Sequence, residues 1–161
     1  TCGIVPKIRQ LADEGLNITL ALSLHAPNDE IRRTIMPVAN KYALKDVISA
    51  CDYYFKKTGR RVSYEYSLVA GVNDNIEEAK KLVKLVNGRN IHINLIPVNP
   101  IKERDFKQSD KLKIKAFREF LEKKGVNATV RREMGRDIDG ACGQLRRRFI
   151  ETNGGSESLE V

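Results

Sequence analysis

The 161-residue sequence predicts an α/β fold in which parallel strands alternate with helices, as the later part of a βα barrel. Two observations lead to this prediction: strand-like and helical patterns alternate along the chain, and the predicted strands have one small polar face and one large apolar face. A doubly wound sheet is covered on both sides and should be apolar on both faces, whereas a barrel strand can turn a polar face toward a ligand. Four strands cannot close a barrel, so we expect the C-terminal part of a larger fold with an exposed sheet edge.

Periodicity and turn residues place the individual elements. The strand-like segments are residues 17–26, 61–71, 90–100 and 127–133. The helical segments are residues 4–15, 28–36, 43–59, 75–88 and 109–125, with a last helix expected from near Asp139 to about Thr152. Pro6 stands near the first helix start, and Asn75 with Glu78 forms a capping-box pattern. Residues 1–152 are expected to form the barrel portion, and residues 153–161 a disordered tail.

The first two predicted strands have faces of opposite character. Small and polar side chains share one face, namely Thr19, Ala21, Ser23 and His25 in the first strand and Ser63, Glu65 and Ser67 in the second. Large apolar side chains share the other face, namely Ile18, Leu20, Leu22 and Leu24, then Val62, Tyr64, Tyr66 and Leu68. Because side chains alternate between the faces of a strand, we expect the polar set to face the lumen and the apolar set to pack under helices.

Charge and cysteine content limit the classes of function. The net charge of +8 favours a polyanionic partner, nucleic acid first, although solvated helix faces account for many of the lysines. Three widely spaced cysteines are typical of a reducing cytoplasm and not of a disulfide framework. Apolar runs are too short to span a bilayer, so no membrane contact is expected. The chain begins at Thr1, which indicates processing or a piece of a longer protein.

Ligand-binding groups of a βα barrel come from the carboxyl ends of the strands and from the loops that follow them. Ser23 and His25 stand at such an end, and Asn99 follows the third strand in "IPVNP". A single histidine is more often structural than functional. The pairing of Ser23 with His25 on the lumen face favours a ligand role without deciding it.

Cys142 lies in "DIDGACGQLRRR", beside Gly143 and ahead of three arginines. If Asp139 caps the last helix, the thiol lies in its first turn, where the helix dipole and the arginines favour the thiolate. The alternative is a small residue packed in a turn, because free cysteine is among the most buried residue types. Cys51 shares a helix face with apolar residues and is interpreted as inert. The sequence contains neither metal-ligand spacing nor a glycine-rich phosphate loop.

Several long segments of the sequence carry a family resemblance. The segments "TCGIVPKI", "SLHAPNDEIRRTIMPVAN", "INLIPVNP" and "RREMGRDIDGACGQL" closely resemble the RlmN family. These are radical S-adenosylmethionine (SAM) enzymes that methylate carbon 2 of adenine in large-subunit ribosomal RNA and in transfer RNA. The resemblance extends from Thr1 to about Thr152 and implies a partial βα barrel and an RNA methyltransferase.

The resemblance also implies roles for individual residues. Ser23, Leu24, His25 and Asn99 match family residues that contact SAM, and Cys142 matches the cysteine that becomes methylated. Carbon 2 of adenine is electron-poor and has no lone pair, so a radical route is needed to methylate it. In the family, a radical generated from a second SAM activates the methyl group on the cysteine. A second cysteine then forms a disulfide with the Cys142 equivalent as the product leaves.

Other family features are absent from this sequence. The three cysteines spaced C-x3-C-x2-C that hold a [4Fe-4S] cluster, the "GEP" element, the second catalytic cysteine and the N-terminal domain have no counterpart here. We therefore expect a C-terminal portion that is inactive alone and binds SAM weakly. For the full-length enzyme the resemblance implies ribosomal and transfer RNA as partners, an electron donor such as flavodoxin, and a cytoplasmic location. Dimerisation of the portion is left open.

Two other functions are consistent with the same residues. Related enzymes with similar motifs methylate carbon 8 of the same adenine, and analysis of the product would separate the two. The chain could also be a non-catalytic RNA-binding or dimerising module. A C-x3-C-x2-C motif encoded upstream in the same reading frame would favour the enzyme, whereas a start codon just before Thr1 would favour the module.

Overall fold

The computed structural model describes residues 1–98 and 106–131. Within these residues the predicted alternation of strands and helices is confirmed. The helices are α1 (Val5–Asp13), α2 (Asp29–Ile35), α3 (Leu44–Thr58), α4 (Ile76–Val86) and α5 (Lys111–Lys123), with a 3-10 turn at Pro37–Asn40. The strands are β1 (Ala21–Ser23), β2 (Val62–Leu68), β3 (Ile91–Pro97) and β4 (Ala128–Val130). The predicted last helix and tail lie outside the described residues.

The four strands form one parallel sheet in the order β1-β2-β3-β4. The register places Ser23 beside Glu65 and Glu65 beside Asn94, so polar residues of three neighbouring strands lie side by side. A doubly wound sheet reverses its strand order at a switch point, whereas a βα barrel adds each new strand to the same edge. The uninterrupted order therefore agrees with the barrel interpretation of the strand faces.

The two faces of β2 differ in burial as the sequence predicts. Val62, Tyr64, Tyr66 and Leu68 are buried, while Ser63, Glu65 and Ser67 between them are half-buried. The buried residues join one apolar core with residues from four helices, including Ile8, Val47, Leu82 and Phe117. Because this core covers only the apolar face, the polar face is left for other contacts.

The first strand is shorter than the sequence predicts. Residues 17–26 alternate in the manner of a strand, but regular pairing with β2 covers only Ala21–Ser23. Ile18 keeps 44% of its surface exposed, so it does not join the apolar face. At the other end, His25 has a φ of +57°, which takes the backbone out of the extended conformation. The backbone of His25 thus ends the strand at the edge where ligand groups are expected.

Asparagine and aspartate side chains cap the N-termini of three helices. Asn28, Asn75 and Asp110 accept hydrogen bonds from backbone N–H groups in the first turns of α2, α4 and α5. Asn75 makes the predicted bond to the N–H of Glu78, at 3.0 Å. The Glu78 carboxylate accepts from Asn28 Nδ2 at 3.0 Å and from Lys81 Nζ at 2.6 Å. Glu78 therefore ties the start of α4 to the start of α2.

None of the helices in the part of the chain that the structure describes has the length and hydrophobicity needed to cross a membrane.

Candidate ligand site at the carboxyl ends of the strands

A cavity of about 450 Å³ lies where β1, β2 and β3 end. Its lining residues come from the end of β2, from the segments that follow these strands, from α2 and the 3-10 turn, and from the start of the chain. They are Cys2, His25, Ile35, Met36, Pro37, Val38, Ser67, Val69, Val98 and Phe106. The wall is mainly apolar, with one imidazole and one hydroxyl among the lining side chains. An apolar pocket with a few polar groups is the usual form of a small-molecule site.

His25 lines this cavity in a defined protonation state. Its Nδ1 accepts a hydrogen bond from the backbone N–H of Ser67, at 3.0 Å. Burial lowers the pKa of His25 to about 4, and the positive charge of Arg32 acts in the same direction. The imidazole is therefore neutral at physiological pH, and its single proton lies on Nε2 because Nδ1 is the acceptor.

The lowered pKa of His25 predicts a pH-dependent stability. The unfolded chain binds this proton near pH 6.5, whereas the folded chain resists it down to about pH 4. The free energy of unfolding should therefore fall as pH drops through this window, by at most about 3 kcal/mol from His25. Urea unfolding at several pH values measures the loss. The variant His25→Asn, which does not titrate and tolerates a positive φ, should lack this component. An equal slope in both proteins would contradict the assignment.

Ser23 and Leu24 lie beside the cavity but are not among its lining residues. The Leu24 side chain is fully buried in the core, so only its backbone can contact a ligand. The N–H of Leu24 already donates to the carbonyl of Glu65 at 2.9 Å. The N–H of Ser23 donates to the carbonyl of Thr1 at 2.8 Å. Asn99, which is the fourth predicted ligand residue, lies outside the described residues. Cys142, the predicted nucleophile, also lies outside them.

Arg32 is a buried cation that the sequence analysis missed. It is 0% exposed, and its guanidinium donates to three backbone carbonyls: Leu24 at 3.1 Å, Cys2 at 2.9 Å and Ser23 at 3.3 Å. Burial lowers the pKa of Arg32, since the charged form loses solvation. Arg32 thus holds the end of β1 and the segment before α1 together, next to the cavity.

Asn73 is a second buried polar residue that the sequence analysis missed. Its Nδ2 donates to the carbonyls of His25 and Ser67, each at 2.7 Å. Its Oδ1 accepts from the N–H of Val69 at 2.8 Å. The loop sequence "GVNDN" indicates a turn and helix start, but it does not separate Asn73 from Asn75.

Glu65 lies on the polar face of the sheet, two residues before Ser67, which lines the cavity. Its two carboxylate oxygens accept hydrogen bonds from Ser63 Oγ at 3.0 Å and from Asn94 Nδ2 at 2.8 Å. Ser63 and Asn94 lie on the same face of the sheet as Glu65, and each donates one of the hydrogen bonds that the carboxylate can accept. The arrangement gives Glu65 a fixed position on the face that the sequence predicts to be the lumen.

The two described cysteines have different environments. Cys51 is 1% exposed, and burial raises the pKa of its thiol to about 12, so the thiolate is not available there. This agrees with its interpretation as an inert core residue. Cys2 is exposed and lines the cavity. Among the residues that the structure describes, no group of three or more histidine, cysteine or acidic side chains could hold a metal ion.

Proteins of similar sequence and fold carry related names. A protein of Lachnospira eligens named probable dual-specificity RNA methyltransferase RlmN is 64% identical over 94% of this chain and 43% of its own length. Proteins of the same name from Lachnoclostridium phytofermentans and Clostridium perfringens are 66% and 58% identical. The chain spans somewhat less than half the length of these relatives. No family model matches the chain.

Solved structures give the same result for the fold. A radical SAM methyltransferase from Sphaerobacter thermophilus superposes with a TM-score of 0.87 at 44% identity, over 91% of this chain and 43% of that one. A domain of pyruvate-formate lyase-activating enzyme from Bacteroides vulgatus gives a TM-score of 0.59 at 12% identity, over 80% and 89%, which is a likeness of fold alone. Over nearly all of its length, the chain is therefore similar in sequence and in fold to a portion, about 43%, of proteins named as RlmN RNA methyltransferases and of a radical SAM methyltransferase.

Proposed function

We propose that this chain forms part of an RNA methyltransferase that uses SAM to methylate carbon 2 of adenine in large-subunit ribosomal RNA and in transfer RNA. The observation that carries the proposal is the 64% identity, over 94% of the chain, with a protein named as a dual-specificity RNA methyltransferase. The net charge of +8 supports a polyanionic substrate. A cytoplasmic location belongs to the same proposal.

The cavity at the strand ends fits part of a nucleoside cofactor. Its apolar wall, with Met36, Val69 and Val98, suits the faces of an adenine ring, and His25 offers a neutral N–H donor. In the proposal, Ser23, Leu24 and Asn99 complete the contacts that the family resemblance implies. When bound, SAM supplies an electrophilic methyl group and, on one-electron reduction, a carbon radical.

The residues of the described part do not supply a site for an iron–sulfur cluster. Cys2 and Cys51 are far apart in the sequence and differ in burial, and the sequence has no C-x3-C-x2-C spacing. The [4Fe-4S] cluster and a flavodoxin-like electron donor therefore belong to the proposal for the complete gene product.

Cys142 is the proposed catalytic residue of this chain. In the proposal, its thiolate would displace S-adenosylhomocysteine from the methyl carbon of SAM, hold the methyl group as a thioether and bring it to the adenine ring. The thiol must be nucleophilic when it is loaded and must act as a leaving group when the product departs. The adenine must be unpaired or flipped out of its helix to reach this group.

Product analysis of the complete gene product tests the proposed function. The purified protein is incubated with SAM, a reductant, and a large-subunit RNA fragment or transfer RNA, and the digested nucleosides are separated by mass-coupled chromatography. We expect 2-methyladenosine from both RNAs. If 8-methyladenosine forms instead, the carbon 8 alternative is correct. If the protein binds RNA but no methylated adenosine forms, the non-catalytic module is favoured.

A further inference from the structure

We infer that Asn73 is a positioning residue for the ligand site: its side chain holds His25 in the backbone conformation and ring orientation that present Nε2–H as a hydrogen-bond donor to the ligand. The inference rests on the proposed function for the identity of the ligand. It adds a residue in the loop after β2 to the residues at the end of β1, Ser23 to His25, that the family resemblance implies contact SAM.

The geometry of β2 shows why these two side chains are needed. Residues 63 and 65 of β2 turn their backbone groups toward β1, since the N–H of Ser63 donates to Leu20 and the carbonyl of Glu65 accepts from Leu24. The next residue in this series is Ser67, but β1 ends at Ser23. The backbone groups of Ser67 therefore have no strand partner on this side.

His25 and Asn73 take the place of the missing strand. The N–H of Ser67 donates to His25 Nδ1 at 3.0 Å, and the carbonyl of Ser67 accepts from Asn73 Nδ2 at 2.7 Å. The same Nδ2 donates to the carbonyl of His25 at 2.7 Å. The Asn73 amide thus joins the backbone of His25 to the strand residue that orients its ring.

The Asn73 side chain is itself fixed in one orientation. It is 0% exposed, both N–H groups are used, and its Oδ1 accepts from the N–H of Val69 at 2.8 Å. The carbonyl of Asn73 accepts from Tyr66 Oη at 3.1 Å. Aspartate or leucine at this position would remove both donors, so the choice of asparagine follows from the carbonyls that it binds.

His25 needs this support because its backbone is unusual. Among the described residues it is the one residue other than glycine with a positive φ, at +57°. Such conformations persist only where the surrounding structure fixes them, and they concentrate at functional sites. The hydrogen bond from Asn73 to the carbonyl of His25 constrains the backbone just after the unusual angle. The expected ligand partner of Nε2–H is an acceptor atom, such as a ring nitrogen or a hydroxyl oxygen of a nucleoside.

The ring tautomer is the measurement that tests the positioning directly. In the complete gene product labelled with 15N-histidine, the signals of His25 are those lost in His25→Asn. We expect a protonated Nε2, an unprotonated Nδ1 and no titration above pH 5 in the wild type. In Asn73→Ala or the milder Asn73→Ser, we expect the tautomers to mix. The control Leu121→Ala, which removes a buried side chain from α5, should leave the His25 signals unchanged. A wild-type ring with its proton on Nδ1 would overturn the inference.

A double-mutant cycle separates positioning from general stability. With S-adenosylhomocysteine as the calorimetric probe, Asn73→Ala should weaken binding about tenfold in the wild-type background, the equivalent of one lost hydrogen bond. It should have little further effect in the His25→Asn background, because Asn73 acts through His25. Additive effects of the two substitutions would contradict the inference. Failure to methylate RNA, with the expected tautomer and coupling intact, would refute the proposed function alone.

Discussion

Replacing Cys142 by alanine in the complete gene product is expected to abolish RNA methylation, with turnover reduced by about 10³-fold or more. An alanine side chain has no nucleophilic atom to take up a methyl group. Carbon 2 of adenine is electron-poor and has no lone pair, so it cannot accept the methyl group directly from the sulfonium of SAM. The rate is measured as 2-methyladenosine formed per enzyme, and the wild type with its substrate RNA omitted should show added methyl mass on the peptide that contains Cys142.

The two other cysteines of the chain are the matched controls for this experiment. Cys51→Ala should retain turnover, because the thiol is buried in the core and its pKa is raised to about 12. Cys2→Ser is the stricter control, since Cys2 lines the cavity and is exposed. Loss of activity in Cys2→Ser together with retained activity in Cys142→Ala would move the methyl-carrying role to the start of the chain.

The parts of the fold that follow a simple period could be predicted from the sequence. The alternation in β2 gives both the buried tyrosines and the half-buried serines around Glu65. The apolar positions of α3 repeat at helical spacing, and they include Cys51. In both cases the sequence pattern works because one face packs against the core along the whole element. The interpretation of Cys51 as inert followed from the same pattern.

The residues that shape the candidate site could not be predicted in this way. Arg32 and Arg33 are adjacent in a helix of seven residues, and only the contacts of Arg32 with carbonyls distant in the sequence distinguish its buried side chain from the exposed Arg33. Asn73 lies in a loop with no period at all. His25 was predicted to continue a strand, because a local pattern does not reveal a positive φ that a distant loop stabilises. Each of these outcomes depends on contacts between residues far apart in the sequence.

The missed residues have a common physical role at the carboxyl edge of the sheet. Where a parallel strand ends before its neighbour, backbone groups lose their ladder partners and must be satisfied by side chains if they are buried. Arg32 supplies donors to the carbonyls at the end of β1, and Asn73 supplies donors to those of His25 and Ser67. The polar side chains that satisfy the sheet edge therefore also shape the cavity next to it.

The variant Arg32→Met is expected to lower the free energy of unfolding by about 3 kcal/mol, because three backbone carbonyls, one buried and two partly buried, lose a charged donor and methionine offers none. Relief of the desolvation that lowers the pKa of Arg32 offsets part of the loss. Arg32→Lys should give an intermediate value, since an ammonium cannot match the spread of the guanidinium donors. Urea unfolding measures the free energy of unfolding of the wild type, Arg32→Met and Arg32→Lys.

The exposed neighbour provides the control, because Arg33→Met removes the same charge from the same helix turn and should change the free energy of unfolding by less than about 0.5 kcal/mol. The backbone at Gly3 also lies close to the Arg32 side chain. A Cβ at Gly3, whose φ is +101°, would lie 3.0 Å from Arg32 Nη2, so the guanidinium fills the space beside this segment. If Arg32→Met and Arg33→Met were equally stable, the carbonyls of Cys2, Ser23 and Leu24 would not depend on the buried cation.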